Sequence, residues 1–543
     1  MEKKAANIVS GIYFLLLVCV FPLLEHDQYN DILTVKSKFF NITTLIMFAA
    51  LALIGILAAV HYKKTLKFRP GIDRTDGLLL LFLAALTLAF LLAPDRTSAF
   101  WGTDGRKTGY LVLLLCCGIF WVGRYLWNRK WYLIVPAASA AVFINVIAVC
   151  NHLGGNPFSL CGTAGDKASQ FISTLGNRNC LAAYIALLLA VTVPFFCKTD
   201  SKKMRLVSGG FLAVLFLGMF ASMSDSVCLA FAAIMLVTLW FVMPNPAELK
   251  RWGVAGIIWA ACMYLFLFLR VLCRENCWNM YGIWKLVLSG KPTLALTAAV
   301  AAVFFFLCFY AGKQGTGENF LSPDHVRRVK KVRLVLFLCI LALIAGAVFV
   351  IVWSTLTKTP EEAKELFGVL TPYLYFGEKW GSNRGIIWRS AASTFAGMPA
   401  IHKIFGYGPA CFKAAYELYD SSGGYMKLNG VLVDAHNEAL QYLVTTGIFG
   451  VISYFGFFVS AIAAFIKKRR ENCMGAVMGI AFVSAFLVQG FVNNTHLYIE
   501  PPAFFITGIL LAAVNVPPAC TFCFSGKTEF GFGKLIRSVY PRG

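Results

Sequence analysis

LVLFLCILALIAGAVFVIVWS, residues 334–354, is a run of 21 residues without a charge. As an α-helix it is about 30 Å long, the thickness of a bilayer's hydrocarbon core. Arg327, Arg328, Lys330, Lys331 and Arg333 stand just before it, where a membrane-spanning helix places its cationic flank. Working outward in both directions, comparable runs recur at 7–24, 42–60, 77–94, 109–123, 131–150, 180–197, 206–222, 226–243, 253–269, 293–311, 438–466, 473–493 and 503–516. Together they predict fourteen spans, of which 109–123 and 503–516 are short. Lipid cannot satisfy an open strand edge, so the runs are helices.

The composition agrees. Of 543 residues 59% are hydrophobic and only 14% charged, with mean hydropathy +0.70, against about 45–50% and 25% in soluble domains. Disorder and a small disulfide scaffold are excluded on the same grounds. The reading is an all-α integral membrane protein with about 12–14 transmembrane helices and one large helical exterior loop. It divides into a bundle of about eleven spans (1–354), the loop (355–437), C-terminal membrane helices (438–516) and a cytoplasmic tail (517–543). The first run leads into Glu25-His26-Asp27 without a small-residue cleavage site, which marks an anchor and not a removed signal.

A net charge of +23 admits nucleic acid, an anionic membrane surface or an anionic substrate. Sorting the loops decides among these. With the N-terminus inside, the inner segments hold 30 Lys/Arg and 9 acids and the outer ones 19 and 17. The excess therefore sets orientation, with both termini cytoplasmic. The basic runs at span ends suit anionic inner-leaflet lipid, and no basic domain with interleaved aromatics exists to grip nucleic acid. Of seventeen cysteines most lie in apolar runs; Cys273 and Cys277 are placed for an exterior bridge, and Cys520-x-x-Cys523 lacks the second pair that a zinc site needs.

Three longer outer segments remain: 151–179, 270–292 and 355–437. In the second, Trp278-Asn279-Met280-Tyr281-Gly282-Ile283-Trp284-Lys285 reads as an amphipathic stretch lying on the interface. In the third, Ser382-Asn383 opens a helical pattern in which Arg384 lies one turn before Trp388, with Arg389 next to it and Gly397 and Pro399 ending it. Phe405-Gly406-Tyr407-Gly408-Pro409 is either a backbone cradle for phosphate or a tight turn needing φ > 0, with Pro409 placed to begin a short helix through Tyr419. Asp434 is the expected N-cap of a helix that enters the membrane. Asn437, Gln441 and Thr445 then form a polar stripe that should face the bundle interior or a wet cavity, with His436 at its mouth. Upstream, Gly176-Asn177-Arg178-Asn179 reads as a capped helix start.

Taken together these stretches resemble the O-antigen ligase and polymerase superfamily. Gly176 to Ala182 is similar to its G-N-P-N-x-x-A element, with Arg178 at the proline position. Asn383 to Trp388 and Gly406-Tyr407-Gly408 resemble its G-R-x-x-x-W and G-x-G elements. His436 to Gly450 fits its H-N-x-x-L-Q-x-x-x-x-x-G-x-x-G pattern throughout. Ser222 to Ser226 stands where the family carries a Ser-Arg-Gly element, and Asp225 replaces the cation; Arg178 or Arg106 would have to substitute for it.

The resemblance implies a GT-C-type architecture. It also implies a glycosyltransferase that takes a glycan from an undecaprenyl-diphosphate carrier to a hydroxyl acceptor on a lipid, glycan or protein. The reaction belongs to the outer face of the bacterial cytoplasmic membrane and needs no metal or cofactor. In that chemistry Arg384 holds the diphosphate and His436 takes the hydroxyl proton. Arg389, Arg178, Asn437, Gln441 and Trp388 are the substrate-binding candidates. The same chemistry serves a ligase or a polymerase of lipid-linked repeats. A lipid-glycan transporter is the competing class, but almost every acid lies outside the apolar runs and no paired halves are visible.

Overall fold

A computed structural model describes residues 2–515 apart from 30, 63–71, 104–105, 128–130, 161–170, 314–322, 429–431 and 494–495. The tail 517–543, with Cys520 and Cys523, lies outside the described residues. Among those described the chain is helical and contains no strand. Twelve helices are long and apolar enough to cross a membrane, and Tyr110–Leu126 and Glu500–Val514 are shorter apolar helices. Each falls on one of the fourteen runs in the sequence. The protein is an all-α integral membrane protein.

Burial varies strongly around the bundle. Arg178–Lys198 is enclosed along most of its length by Lys202–Ser222, Asp225–Val242 and Cys473–Val492. Pro323–Thr357, the helix that carries residues 334–354, keeps its apolar face almost wholly outward. Its uncharged stretch is matched to lipid and not to other helices.

Charged groups gather at the two ends. At one end Arg124 binds Asp73 at 2.5 Å and Asp76 at 2.9 Å, Lys198 binds Glu248 at 2.6 Å, and Arg251 binds Asp200 at 3.3 Å. At the other, Arg106 binds Asp434 at 3.2 Å. The segments that alternate along the sequence are therefore the segments that meet in space.

Residues 355–437 fold over this second end. They include the helices Pro360–Phe367, Trp380–Gly397, Ala400–Phe405 and Phe412–Tyr419; Trp380–Gly397 and Phe412–Tyr419 share a small core of Ile387, Ala391, Phe412 and Tyr416 with Met398 and Val444. Ala93 and Ala99, from the end of the third span and the turn beyond it, belong to the same core. The short helix begins at Phe412, three residues later than Pro409 suggests, because Pro409 and Ala410 are taken up in a turn.

Other expectations are corrected. The run 438–466 is not one helix but two, Glu438–Thr445 and Gly447–Lys468. The break sits at Gly447, whose φ is 70°, and a Cβ there would lie 2.3 Å from the carbonyl oxygen of Ile404. The N-cap is Asn437, accepting from the Leu440 N–H at 3.0 Å, and not Asp434. The segment 278–285 has two faces: Trp284 is only 1% exposed and donates from Nε1 to the Ser224 carbonyl at 3.0 Å, while Asn279, Tyr281 and Lys285 are exposed. Cys273 and Cys277 are free thiols.

Gly447 supplies a test of this architecture. Gly447→Ala forces a side chain into a left-handed turn against backbone, at a cost of roughly 1–3 kcal/mol. The melting temperature of the purified protein should fall by several degrees, whereas Gly346→Ala, which meets open space, should leave it unchanged.

Candidate functional site

The site is organised on the end of the helix Cys473–Val492. Its last carbonyls have no partner within the helix and attract cations and donors. Asn437 Nδ2 donates to the Phe491 carbonyl at 2.9 Å, and Arg384 Nε donates to the Val492 carbonyl at 2.5 Å. Two residues 53 positions apart in sequence are thus fixed side by side on consecutive carbonyls.

Arg384 reaches this point because the turn before its helix is unusual. Gly381, Ser382 and Asn383 all have positive φ, and Arg384 Nη1 bonds back to the Gly381 carbonyl. Its Nη2 makes no hydrogen bond among the described residues, which leaves one edge of the guanidinium for a ligand. Burial lowers the Arg384 guanidinium from its ordinary value, opposed by Asp225, Asp434 and Tyr373.

His436 adopts φ 46° in a tight turn where its N–H donates to Asp434 Oδ1 at 2.9 Å. Its Nδ1 lies 3.3 Å from the same oxygen, and its side chain is 37% exposed. Asp434 is itself buried and held by Arg106 from the loop between the third and fourth spans. Burial would raise the Asp434 carboxyl, but Arg106, with His436 and His496 behind it, holds it well below the usual carboxylate range. Asp434 therefore stays ionised at any physiological pH.

The polar stripe points inward, as its spacing suggested. Asn437, Gln441 and Thr445 are all buried. Gln441 Oε1 accepts from the Ala435 N–H at 3.0 Å, so the stripe also fixes the chain next to His436. Gln441 and Thr445 line, with Arg106, Glu438 and Glu500, a cavity of about 20 Å³, room for one water.

The Gly-rich turn resolves in favour of the plain alternative. Gly406 and Gly408 have φ 86° and 126°. The amides that a phosphate would use are spent on the helix Glu438–Thr445: Tyr407 N–H on the Val444 carbonyl at 2.9 Å and Gly408 N–H on the Thr445 carbonyl at 3.0 Å.

The remaining candidates are dispersed. Trp388 packs against Trp380 and Phe491 with ring centroids at 5.0 and 5.6 Å. Arg389 is exposed, donates to its own helix at Gly385 and lies over Phe376, away from the His436 turn. Arg178 stacks at 4.8 Å on Tyr281. Asp225 accepts from the Ile283 N–H at 2.8 Å and from the Tyr373 hydroxyl at 2.6 Å. It ties the second and third outer segments together where a cation stands in the family pattern. Glu378, six residues before Arg384, pairs with Lys427.

Residues 280–455 match the family model described as O-antigen ligase. That stretch is similar to the O-antigen ligase family. The match supports placing it in the O-antigen ligase and polymerase superfamily, and no curated protein matches the chain. The matched stretch holds Arg384, His436, Asn437 and Gln441, while Arg106 and His496, which complete the electrostatics, come from outside it. Sequence reasoning passed over His496. Its signal was the polar run Asn493-Asn494-Thr495-His496 between two apolar spans.

His496 gives the site a pH signature. Burial first, then Arg106, lower it to about 4, with Asp434 opposing. An unfolded histidine titrates near 6.5, so the stability that His496 contributes is complete above that value and is lost as pH falls toward 4. The melting temperature should drop between pH 6.5 and 4, and His496→Gln should flatten that slope.

Proposed function

We propose that the chain transfers a glycan from an undecaprenyl-diphosphate carrier to a hydroxyl acceptor, on the outer face of a bacterial cytoplasmic membrane. The observation that carries this reading is the pairing of Arg384 and Asn437 on consecutive carbonyls of one helix end: it holds a guanidinium with an open edge, and next in the chain to Asn437 stands an imidazole whose Nδ1 faces an ionised carboxylate. The inner excess of Lys/Arg supports placing this end of the bundle outside, with both termini cytoplasmic.

In this reading Arg384 grips a donor diphosphate oxygen through its outward edge. The acceptor oxygen attacks the anomeric carbon as the bond from that carbon to phosphate oxygen breaks. The lipid diphosphate leaves with the bonding electrons, and its developing charge meets Arg384. The hydroxyl proton passes to His436. Asp434 at Nδ1 makes Nε2 the accepting nitrogen and steadies the imidazolium that forms. Direct displacement inverts the anomeric configuration. The reading calls on side chains alone, with no metal or cofactor in a step. Asn437 and Gln441 act by fixing the turn, while Trp388 packs behind Arg384.

His436→Ala and Arg384→Ala should each lower transfer by about 10²-fold or more, while the protein still accumulates in the membrane. Transfer would be followed by mass analysis of product formed by purified protein from a lipid-diphosphate-linked oligosaccharide. Full activity in either variant would remove the assignment.

A further inference from the structure

One buried row of the helix Cys473–Val492 changes character at its end. Val477, Ala481 and Ala485, four apart, are fully buried and apolar. The next two positions of the row are Gln489 and Asn493, 4% and 2% exposed. The amide nitrogen and oxygen of both side chains are buried and make no hydrogen bond among the described residues. Phe491, between them in the chain, carries the Trp388 ring at 5.6 Å, and the Trp388 indole Nε1 is also buried without a partner among the described residues. Such atoms are rare in protein interiors because each costs stability. Here they gather at one end of an apolar span, where polar side chains mark a site of use.

The row ends at the candidate site. Val492, next to Asn493, gives its carbonyl to Arg384 Nε, and Phe491 gives its own to Asn437 Nδ2. The backbone that fixes the Arg384 guanidinium is therefore the backbone that carries both amides. Their chemistry specifies what they take. A carboxamide offers two N–H donors and an acceptor oxygen. A phosphate would use the donors and set its charge against the amide oxygens. A cation would use the oxygens and meet the N–H groups. Hydroxyl groups both donate and accept, so a ligand with neighbouring hydroxyls satisfies both ends of each amide. In the transfer reaction proposed above, the group bonded directly to the donor diphosphate is a sugar ring, which bears such hydroxyls.

We propose that Gln489 and Asn493 bind the sugar unit attached to the donor diphosphate, through its hydroxyl groups. This rests on the reading above, in which Arg384 holds that diphosphate. The two amides select which first sugar the chain accepts. The covalent step is unchanged, and neither residue takes part in proton transfer.

The test is calorimetric titration of the full chain in phosphatidylcholine nanodiscs. The probes are farnesyl diphosphate alone and farnesyl diphosphate carrying glucose, galactose or N-acetylglucosamine. At least one sugar-bearing probe should bind about tenfold or more tightly than farnesyl diphosphate. Gln489→Leu and Asn493→Leu should each remove most of that gain and leave the affinity for farnesyl diphosphate unchanged. Melting temperature is the second readout. Leucine in place of an unpaired buried amide should raise it by a few degrees, so binding falls as stability rises. Gln489→Met, closer to glutamine in shape, serves if the leucine variants do not fold. No gain from any of the sugars, or a gain that survives the substitutions, overturns the proposal; in the second case the amides hold buried water. Melting temperatures that fall in all three variants would make the amides structural and overturn it as well. Arg384→Gln tests the reading beneath: it should weaken every probe, and unchanged binding of farnesyl diphosphate would remove the donor assignment instead.

Discussion

Everything at the loop end of the bundle depends on the buried pair of Arg106 and Asp434. Arg106 arrives from a short connection early in the chain, and Asp434 from the end of the long loop more than 300 residues later. Both are almost fully buried. Charges withdrawn from water recover the cost of burial only through their partners, and removing one partner from such a pair typically costs about 3–5 kcal/mol. The pair therefore closes the loop onto the bundle and at the same time fixes the carboxylate that His436 faces. Position and charge of the candidate base come from one interaction.

A second closure is backbone. The turn at Gly406–Gly408 bonds to the carbonyls that end Glu438–Thr445, and Gly447 lets the next helix start against Ile404. A helix that stops inside the membrane-facing region would leave carbonyls unsatisfied; the Gly-rich turn meets them. The glycines of the family pattern thus do structural work on one another, and phosphate is left to arginine side chains.

The spans were legible because lipid imposes one rule along the whole chain: about twenty uncharged residues, cations concentrated on one side. Residues 334–354 needed no partner to be read, and in the structure most of them face outward, with Ser354 at the end bonded to the Leu374 carbonyl. The stripe Asn437, Gln441 and Thr445 was legible for the same reason, since polar groups on an apolar helix have one side to face. What local pattern could not supply was long-range pairing. Asp434 has the chemistry of an N-cap and sits three residues before Asn437, which took that place when Arg106 claimed the carboxylate. Trp284 looked like an interfacial aromatic until Ser224 offered its indole a carbonyl in the interior. His496 carries no motif of its own; only the meeting of three loops gives it Arg106 and Asp434 as neighbours.

The central claim is that Arg106, Asp434 and His436 act as one unit in transfer. A double-mutant cycle with Arg106→Gln and Asp434→Asn, read as the rate of transfer by purified protein of confirmed fold, tests it most directly. Each single change should lower the rate by about 10²-fold or more, and the double variant should be no slower than the worse single one. Losses that multiply, or an Asp434→Asn protein that transfers at full rate, would contradict it.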